Sequence, residues 1–99
     1  MTQGEFRCIK DFCLPIVAII RDNGGQANTG HIYEEFLSRH GNELDRSFFI
    51  ERKDNDIKWR DYVNRAGYYL KEKGYIARPR HGIWELTGKP APYSTDDLT

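Results

Sequence analysis

The second half of the chain places a helix, a stop and a hairpin in direct succession, and this order constrains the fold more than any other feature. Apolar side chains recur at helical spacing between Trp59 and Leu70, which predicts an amphipathic helix with one buried face. Lys73-Gly74 predicts its end, because glycine readily adopts the left-handed conformation that closes helices. Residues 75–77 and 83–86 then predict two short strands on either side of a basic turn, 78–82.

The first half of the chain opens with a predicted helix that runs from Asp11 to the Gly24-Gly25 pair. Pro15 is expected in its first turn, where the missing backbone N–H costs nothing. Gln26-Ala27 follows as a predicted strand of one or two residues. The helix is expected to bury Phe12, Ile16, Ile19 and Ile20.

A further helix is predicted over residues 30–40, after a cap at Asn28-Thr29 and before Gly41. Its buried side chains are expected to be Ile32, Phe36 and Leu37. Residues 42–57 are the least regular part of the sequence. Apolar residues there favour a short helix at 43–49, and the charged residues 51–56 favour a mobile turn after it.

Together these elements predict a mainly α protein with a small β-hairpin, a winged helix-turn-helix with three core helices plus a wing. The 99 residues leave room for one domain, which we assign to residues 11–88, after an N-terminal extension at 1–10. The Pro-containing polar segment 89–99 is typical of a linker, and it suggests that the chain belongs to something longer.

The charge of the chain is zero overall but unevenly distributed. Residues 51–90 carry ten Lys and Arg against six Asp and Glu, so the cations concentrate in the helix and hairpin. The longest apolar run, residues 13–20, is too short to span a bilayer, and no signal peptide is evident, so we expect a cytoplasmic protein without a membrane partner. Cys8 and Cys13 are expected to be reduced, with Cys13 in the core.

The polar face of the third predicted helix suits a major groove of DNA. At about 100° per residue this face carries Arg60, Asn64, Tyr68 and Lys71, beside Gly67, which would let a partner's backbone approach closely. Lys58 and Arg65 flank its other side. Arg and Asn can bond to base edges and Lys and Tyr to phosphates, although the same residues would also suit the solvated side of an amphipathic helix.

The predicted wing adds Arg78 and Arg80 on either side of Pro79, followed by His81 and the bend at Gly82. Such side chains can reach an adjacent minor groove or phosphates, whereas the simpler interpretation is a solvated turn. The candidate DNA-binding residues are therefore Lys58, Arg60, Asn64, Arg65, Tyr68, Lys71, Arg78, Arg80 and His81.

No nucleophile with a neighbouring base and no metal-ligand spacing is recognisable in the sequence; His31 and His40 do not share a helix face. We therefore predict a binding module and not an enzyme, with no catalytic residue, metal or cofactor. A protein-interaction or dimerisation module is the alternative, and the zero net charge and the tyrosines Tyr68, Tyr75 and Tyr93 favour it.

Two stretches resemble the N-terminal domain of the Mrr-type restriction endonucleases. Leu14-Pro15, continuing to Asp22-Asn23-Gly24-Gly25, is similar to the family's opening Leu-Pro helix with its Asp-Gly turn. The run from Trp59 through Tyr69-Leu70-Lys71 and Gly74 is similar to its aromatic-start helix. The run 80–87 is similar to its Arg-Gly-x-Trp-x-Leu-Thr strand, with His81 inserted after Arg80.

The resemblance covers residues 11–88 apart from 40–57, and Arg65 departs from it where the family often has an aromatic residue. It implies a prokaryotic winged-helix module that binds double-stranded DNA, with or without modified bases. In that family the module precedes a separate nuclease domain that cuts methylated DNA. The chain would then be the recognition domain of a modification-dependent restriction endonuclease or a similar defence protein, with homodimerisation as an open question.

Overall fold

The computed structural model describes residues 6–51 and 57–90. Within these ranges the chain forms three α-helices around a core and a three-stranded antiparallel sheet, which confirms the mainly α fold with a hairpin. The helices are α1 (Ile9–Asp22), α2 (Thr29–His40) and α3 (Lys58–Glu72), with 3₁₀ turns at Gly41–Glu43 and Arg46–Phe49. The strands β1 (Gln26–Asn28), β2 (Ile76–Arg80) and β3 (Ile83–Leu86) lie in the order β1-β3-β2.

The core lies between the three helices and is rich in stacked aromatic rings. Phe36 of α2 stacks on Phe12 of α1 at 5.2 Å and on Trp59 of α3 at 6.1 Å, so one ring joins all three helices. Trp84 of β3 is fully buried and closes the core from the sheet side. The four predicted core residues of α1 are all buried.

The first helix begins two residues earlier than its sequence predicts. The Asp11 carboxylate accepts the backbone N–H groups of Arg7 and Cys8 at 2.8 and 3.1 Å, which satisfies donors before the helix starts at Ile9. Pro15 is consequently the seventh helical residue, and its expected place in the first turn was wrong. Phe6, in the predicted extension, packs edge-on against Phe12 with 6% of its surface exposed.

In α2 the predicted cap is confirmed, because the Asn28 side chain accepts the backbone N–H of His31 at 2.8 Å. The predicted burial of Leu37 was wrong, since 37% of its surface is exposed. Ile32 and Phe36 face the core at i and i+4, and Leu37 lies about 100° further round the helix.

The middle of the chain forms two 3₁₀ turns where the sequence predicted one short helix at 43–49. Phe48 is buried against the rings of Phe12 and Tyr62, whereas Phe49 and Ile50 are exposed. Ser47 Oγ donates to the Asp45 carboxylate at 2.8 Å, a local bond of the kind that competes with regular helix. The mobile turn predicted at 51–56 lies outside the described residues except for Glu51.

Strand β2 extends through Arg80, so the predicted turn at 78–82 was wrong for residues 78–80 and the turn is residues 81–82. Ala77 pairs with Glu85 and Arg80 pairs with Ile83, which leaves one extra residue on β2 and forms a β-bulge at Arg78-Pro79. Because β2 is an edge strand of the sheet, Pro79 is tolerated without an N–H to donate.

The segment after the hairpin contacts the domain up to and including Lys89. The sequence predicted that a linker begins at this residue. Thr87 Oγ1 donates to the Gly74 carbonyl at 2.6 Å. Lys89 Nζ donates to the Lys73 carbonyl at 2.7 Å and lies 4.3 Å from the centre of the Tyr75 ring. This side chain caps the C-terminal end of α3. Residues 91–99 of the predicted linker, including Tyr93, lie outside the described residues.

Gly67 has a different role from the one its sequence suggests. It is buried under the Trp84 indole, so the expected approach of a partner's backbone at this position was wrong. A Cβ at Gly67 would overlap Trp84 Cη2 and lie 2.6 Å from Cζ3 and 2.8 Å from Cζ2. The missing side chain therefore lets the sheet pack directly on the backbone of α3.

We expect Gly67→Ala to lower the free energy of unfolding by about 1–3 kcal/mol, because an overpacked core is strained even though alanine favours helix. Urea unfolding followed by tryptophan fluorescence would measure this. Gly30→Ala is the matched control, since a Cβ there would meet only Asn28 Oδ1, at 3.4 Å. An unchanged Gly67→Ala midpoint would show that Trp84 can move aside at no cost.

Candidate nucleic-acid interface

The sequence-predicted DNA-binding residues of α3 separate into two groups on different sides of the helix. Arg60, Asn64, Lys71 and Tyr68 lie within an arc of about 80°, on the side that faces the hairpin. Lys58 and Arg65 lie about 100° or more round the helix from Asn64. We define the wing-side strip as Arg60, Asn64, Tyr68 and Lys71 of α3 together with Arg78 of β2.

Arg78 connects the hairpin to this strip. Its guanidinium carbon lies 4.8 Å from the ring centre of Tyr68 on α3 and 5.6 Å from that of Trp84 on β3. Alternation along β2 from Ile76 places Arg78 on the same face of the sheet as Trp84, which packs against α3, and the bulge shifts Arg80 to the opposite face. Arg78 is therefore half-buried between two elements and is not part of an exposed tip.

Arg60 fixes the other end of the strip. Its guanidinium carbon lies 5.7 Å from the centre of the Tyr33 ring, which connects α3 to α2 at this end. Asn64 is half-buried one turn further along, and Lys71 is exposed near the C-terminal end of the helix. The strip thus runs along most of α3, with ring contacts at two of its three cations.

Lys58 and Arg65 are not brought into the strip. Lys58 Nζ lies 4.6 Å from the centre of the Phe48 ring and 5.7 Å from that of Tyr62, on the side of the second 3₁₀ turn. Arg65 Nε donates to the Asp61 carboxylate at 2.9 Å, so its charge is compensated within its own helix. Helical spacing in the sequence already separates both cations from the strip, and the structure adds that Lys58 lies against Phe48 and Tyr62.

Arg80 and His81 lie at the end of the hairpin, which does not project from the domain. Strand β1 pairs with β3 up to Asn28–Ile83, and the Gly82 carbonyl accepts the Thr29 N–H at 2.9 Å. The tip consequently lies beside the N-terminus of α2. Arg80 pairs with Ile83 and shares its face, opposite to the face of Trp84, so Arg78 and Arg80 leave the hairpin on different faces.

The cations differ in how far carboxylates compensate them. Arg39 is bonded to Asp22 at 3.0 Å and to Glu35 at 3.1 Å. Across residues 6–51 and 57–90, by contrast, Lys71, Arg78 and Arg80 form no ion pair with a carboxylate. Lys71 and Arg80 are exposed to solvent and Arg78 is half-buried, and none of the three must leave a carboxylate in order to interact with an anion.

A second surface lies between α1 and the opposite flank of α3. It is an open, mainly apolar groove of about 740 Å³, with Ile9 and Tyr69 among its lining residues and Tyr68, 56% exposed, at its edge. Lys10, Arg65 and Glu72 bring charges of both signs to it. Sequence patterns did not reveal this groove, because it depends on how the N-terminus of α1 packs across α3.

The two cysteines are unlike in their surroundings. Cys8 is exposed at the start of α1. Cys13 is fully buried, which confirms its predicted place in the core. Burial raises the pKa of the Cys13 thiol to about 12, so that this thiol stays protonated.

Among the described residues no three His, Cys, Asp or Glu side chains come together as a metal site, and no helix has the length and apolarity to cross a membrane.

Comparisons of the chain with protein-family models, with curated proteins and with solved structures find no match. The resemblance to the Mrr-type N-terminal domain stays a prediction from the motifs in the sequence.

We expect Arg78→Ala to lower the free energy of unfolding by about 1 kcal/mol, because it removes a partly desolvated cation from two rings and uncovers Trp84. Arg80→Ala, at an exposed position on the other face, should change it by less than about 0.5 kcal/mol. Urea unfolding of both variants beside the wild type tests the difference. Equal effects would contradict the asymmetry between the two hairpin arginines.

Proposed function

We propose that this domain binds double-stranded DNA through the wing-side strip, with α3 in the major groove. The observation that carries the proposal is a row of cationic and amide side chains along one side of α3, continued onto the hairpin by Arg78. In the described part of the chain, Lys71 and Arg78 in this row lack a carboxylate partner. A helix about 10–12 Å wide fits the major groove, so side chains on this face meet base edges and those at its margins meet phosphates.

The side chains of the strip differ in which part of the DNA their chemistry suits. Arg60 and Asn64 carry the donors and acceptors that pair with guanine and adenine edges. Phosphates are met by the positive charges of Lys71 and Arg78 and, at the hairpin tip, of Arg80. His81 adds a hydrogen-bond donor at the tip. Lys58 and Arg65 contribute less in this arrangement, because one lies against aromatic rings and the other is paired with Asp61.

The resemblance to the Mrr-type domain extends this proposal to a biological role. We propose a cytoplasmic prokaryotic recognition module of a modification-dependent restriction endonuclease or a similar defence protein. The module itself performs no catalysis, and a separate nuclease domain would cut the DNA it holds. Duplexes of one sequence with and without methylated adenine or cytosine would test the role of modification.

A salt titration tests duplex binding. Three to four phosphate contacts predict that the logarithm of the association constant falls with the logarithm of salt concentration with a slope of about −3 to −4. Lys71→Ala should weaken binding to all sequences and reduce the magnitude of the slope by about 1, whereas Arg60→Ala should also alter sequence preference. Fluorescence anisotropy with a labelled duplex measures both.

Arg46→Ala is the matched control for this titration. Arg46 is an exposed cation on the second 3₁₀ turn, whose Phe48 lies under Lys58 on the far side of α3. Its removal should leave affinity and slope unchanged. A flat salt response of the wild type, or equal losses in Arg46→Ala and Lys71→Ala, would contradict the proposed face.

The groove between α1 and α3 favours a second candidate function, a protein-interaction or dimerisation module. Its apolar floor and the exposed Tyr68 ring are features of protein contact surfaces, and Lys10 and Glu72 could pair across a two-fold axis. In this function the wing-side strip would be a solvated helix face.

Sedimentation velocity separates the two functions. The dimerisation function predicts a concentration-dependent dimer that Lys10→Glu weakens and that Lys10→Glu with Glu72→Lys restores, since the double exchange keeps the two charges complementary. The DNA-binding function predicts a sedimentation coefficient that changes on addition of duplex. A protein that remains monomeric at all concentrations and ignores duplex would exclude both.

A further inference from the structure

Arg78 is held in an unusual way for a surface cation. Its backbone is at a β-bulge, and its guanidinium lies against one ring of α3 and one ring of β3. The two rings belong to elements that are themselves fixed, because the Trp84 indole packs on Gly67, the residue before Tyr68. The side chain thus has far less freedom than an exposed arginine such as Arg80.

The Arg78 guanidinium carbon lies 4.8 Å from the Tyr68 ring centre, within cation–π distance, and a guanidinium carries its N–H donors in its own plane. In the part of the chain that the structure describes, those donors meet neither a carboxylate nor a carbonyl acceptor. A planar fork of donors with fixed orientation matches a pair of acceptor oxygens on one phosphate. A purely structural role would need the cation over the rings but would not need its donors to be available.

The position of Arg78 indicates which acceptors it would meet. Arg78 is half-buried at the junction of α3 and the hairpin, against Tyr68 and Trp84, and we call this junction the margin of the helix. If α3 occupies a major groove, this margin faces the sugar-phosphate strand that borders the groove. The bases are nearer to Asn64 and Arg60.

We infer that Arg78 is a preorganised clamp for one backbone phosphate, and that Tyr68 and Trp84 are positioning residues that hold its guanidinium. This inference rests on the proposed binding of duplex DNA and makes it specific. It gives Tyr68 a role other than direct contact with bases or phosphates, because its ring supports Arg78. It also ranks the two hairpin arginines, with Arg78 contributing more to affinity than Arg80.

The first test replaces the fork but keeps the charge. Arg78→Lys should weaken duplex binding by about tenfold with little change in salt slope, because a lysine cannot donate two parallel bonds. Arg46→Lys, at an exposed position outside the wing-side strip, is the matched control and should stay within about twofold of the wild type. Arg78→Lys binding with wild-type affinity would overturn the inference.

The second test asks whether Tyr68 acts through Arg78. Tyr68→Phe keeps the ring and should bind like the wild type, whereas Tyr68→Leu should lose about fivefold. In the Arg78→Lys background, Tyr68→Leu should lose less than about twofold, since the guanidinium that the ring positions is already absent. Equal losses from Tyr68→Leu in both backgrounds would show that Tyr68 contacts DNA independently.

The third test identifies the acceptor on the DNA. Replacing single phosphates with neutral methylphosphonates should reveal one linkage at which the wild type loses affinity and Arg78→Lys loses much less. Sensitivity to 7-deazaguanine that disappears in Arg78→Lys would instead place the fork on a guanine and overturn the phosphate assignment. A wild type that binds no duplex would sink the proposed function itself, a result distinct from all of these.

Discussion

The contact between Trp84 and Gly67 holds the rest of the structure in place. A strand and a helix approach this closely only because Gly67 has no side chain, and the indole fills the space that one would occupy. The contact brings the sheet close to α3, and Arg78 of β2 lies on the same face of that sheet as Trp84. At this separation the Arg78 guanidinium lies 4.8 Å from the Tyr68 ring centre and 5.6 Å from that of Trp84. The candidate site is therefore a consequence of core packing as much as of surface chemistry.

The burial of Trp84 has an energetic cost, which shows how strongly the packing at Gly67 depends on this residue. Its indole N–H is buried and has no hydrogen-bond partner within the described part of the chain, and such a group typically costs about 1–3 kcal/mol. A phenylalanine would avoid that cost but would cover less of Gly67 and offer Arg78 a smaller surface. The large area of the indole, buried against a helix backbone and a cation, offsets the unmade bond. Packing against Gly67 and the placement of Arg78 thus both favour tryptophan at position 84.

Sequence patterns predicted the elements well and their spatial relations poorly. Helical periodicity from Trp59 to Leu70 and the glycine at 74 located α3, whose end is marked by a positive φ of 84° at Gly74. Wheel positions alone, however, could not show that Gly67 faces a tryptophan or that Arg65 is bonded to Asp61. The bulge at Arg78-Pro79 was missed because basic residues around a proline are equally typical of a turn. The Gly67–Trp84 contact joins a helix to a strand and is not visible in the periodicity of either. The Asp61–Arg65 pair is local, at i and i+4 within α3, and the bulge lies within one hairpin.

The zero net charge of the chain does not argue against binding to a polyanion when the positions of the ion pairs are considered. Arg39 and Arg65, two of the fifteen basic residues, are bonded to carboxylates on α1, α2 and α3, away from the wing-side strip. Compensated charges contribute little to the field near the surface, whereas Lys71 and Arg78 have no such partner in the described ranges. A phosphate within about 10 Å responds to this local arrangement and not to the sum over the chain. The positions of the carboxylates, and not the total charge of the chain, therefore determine the field that a phosphate meets at the wing-side strip.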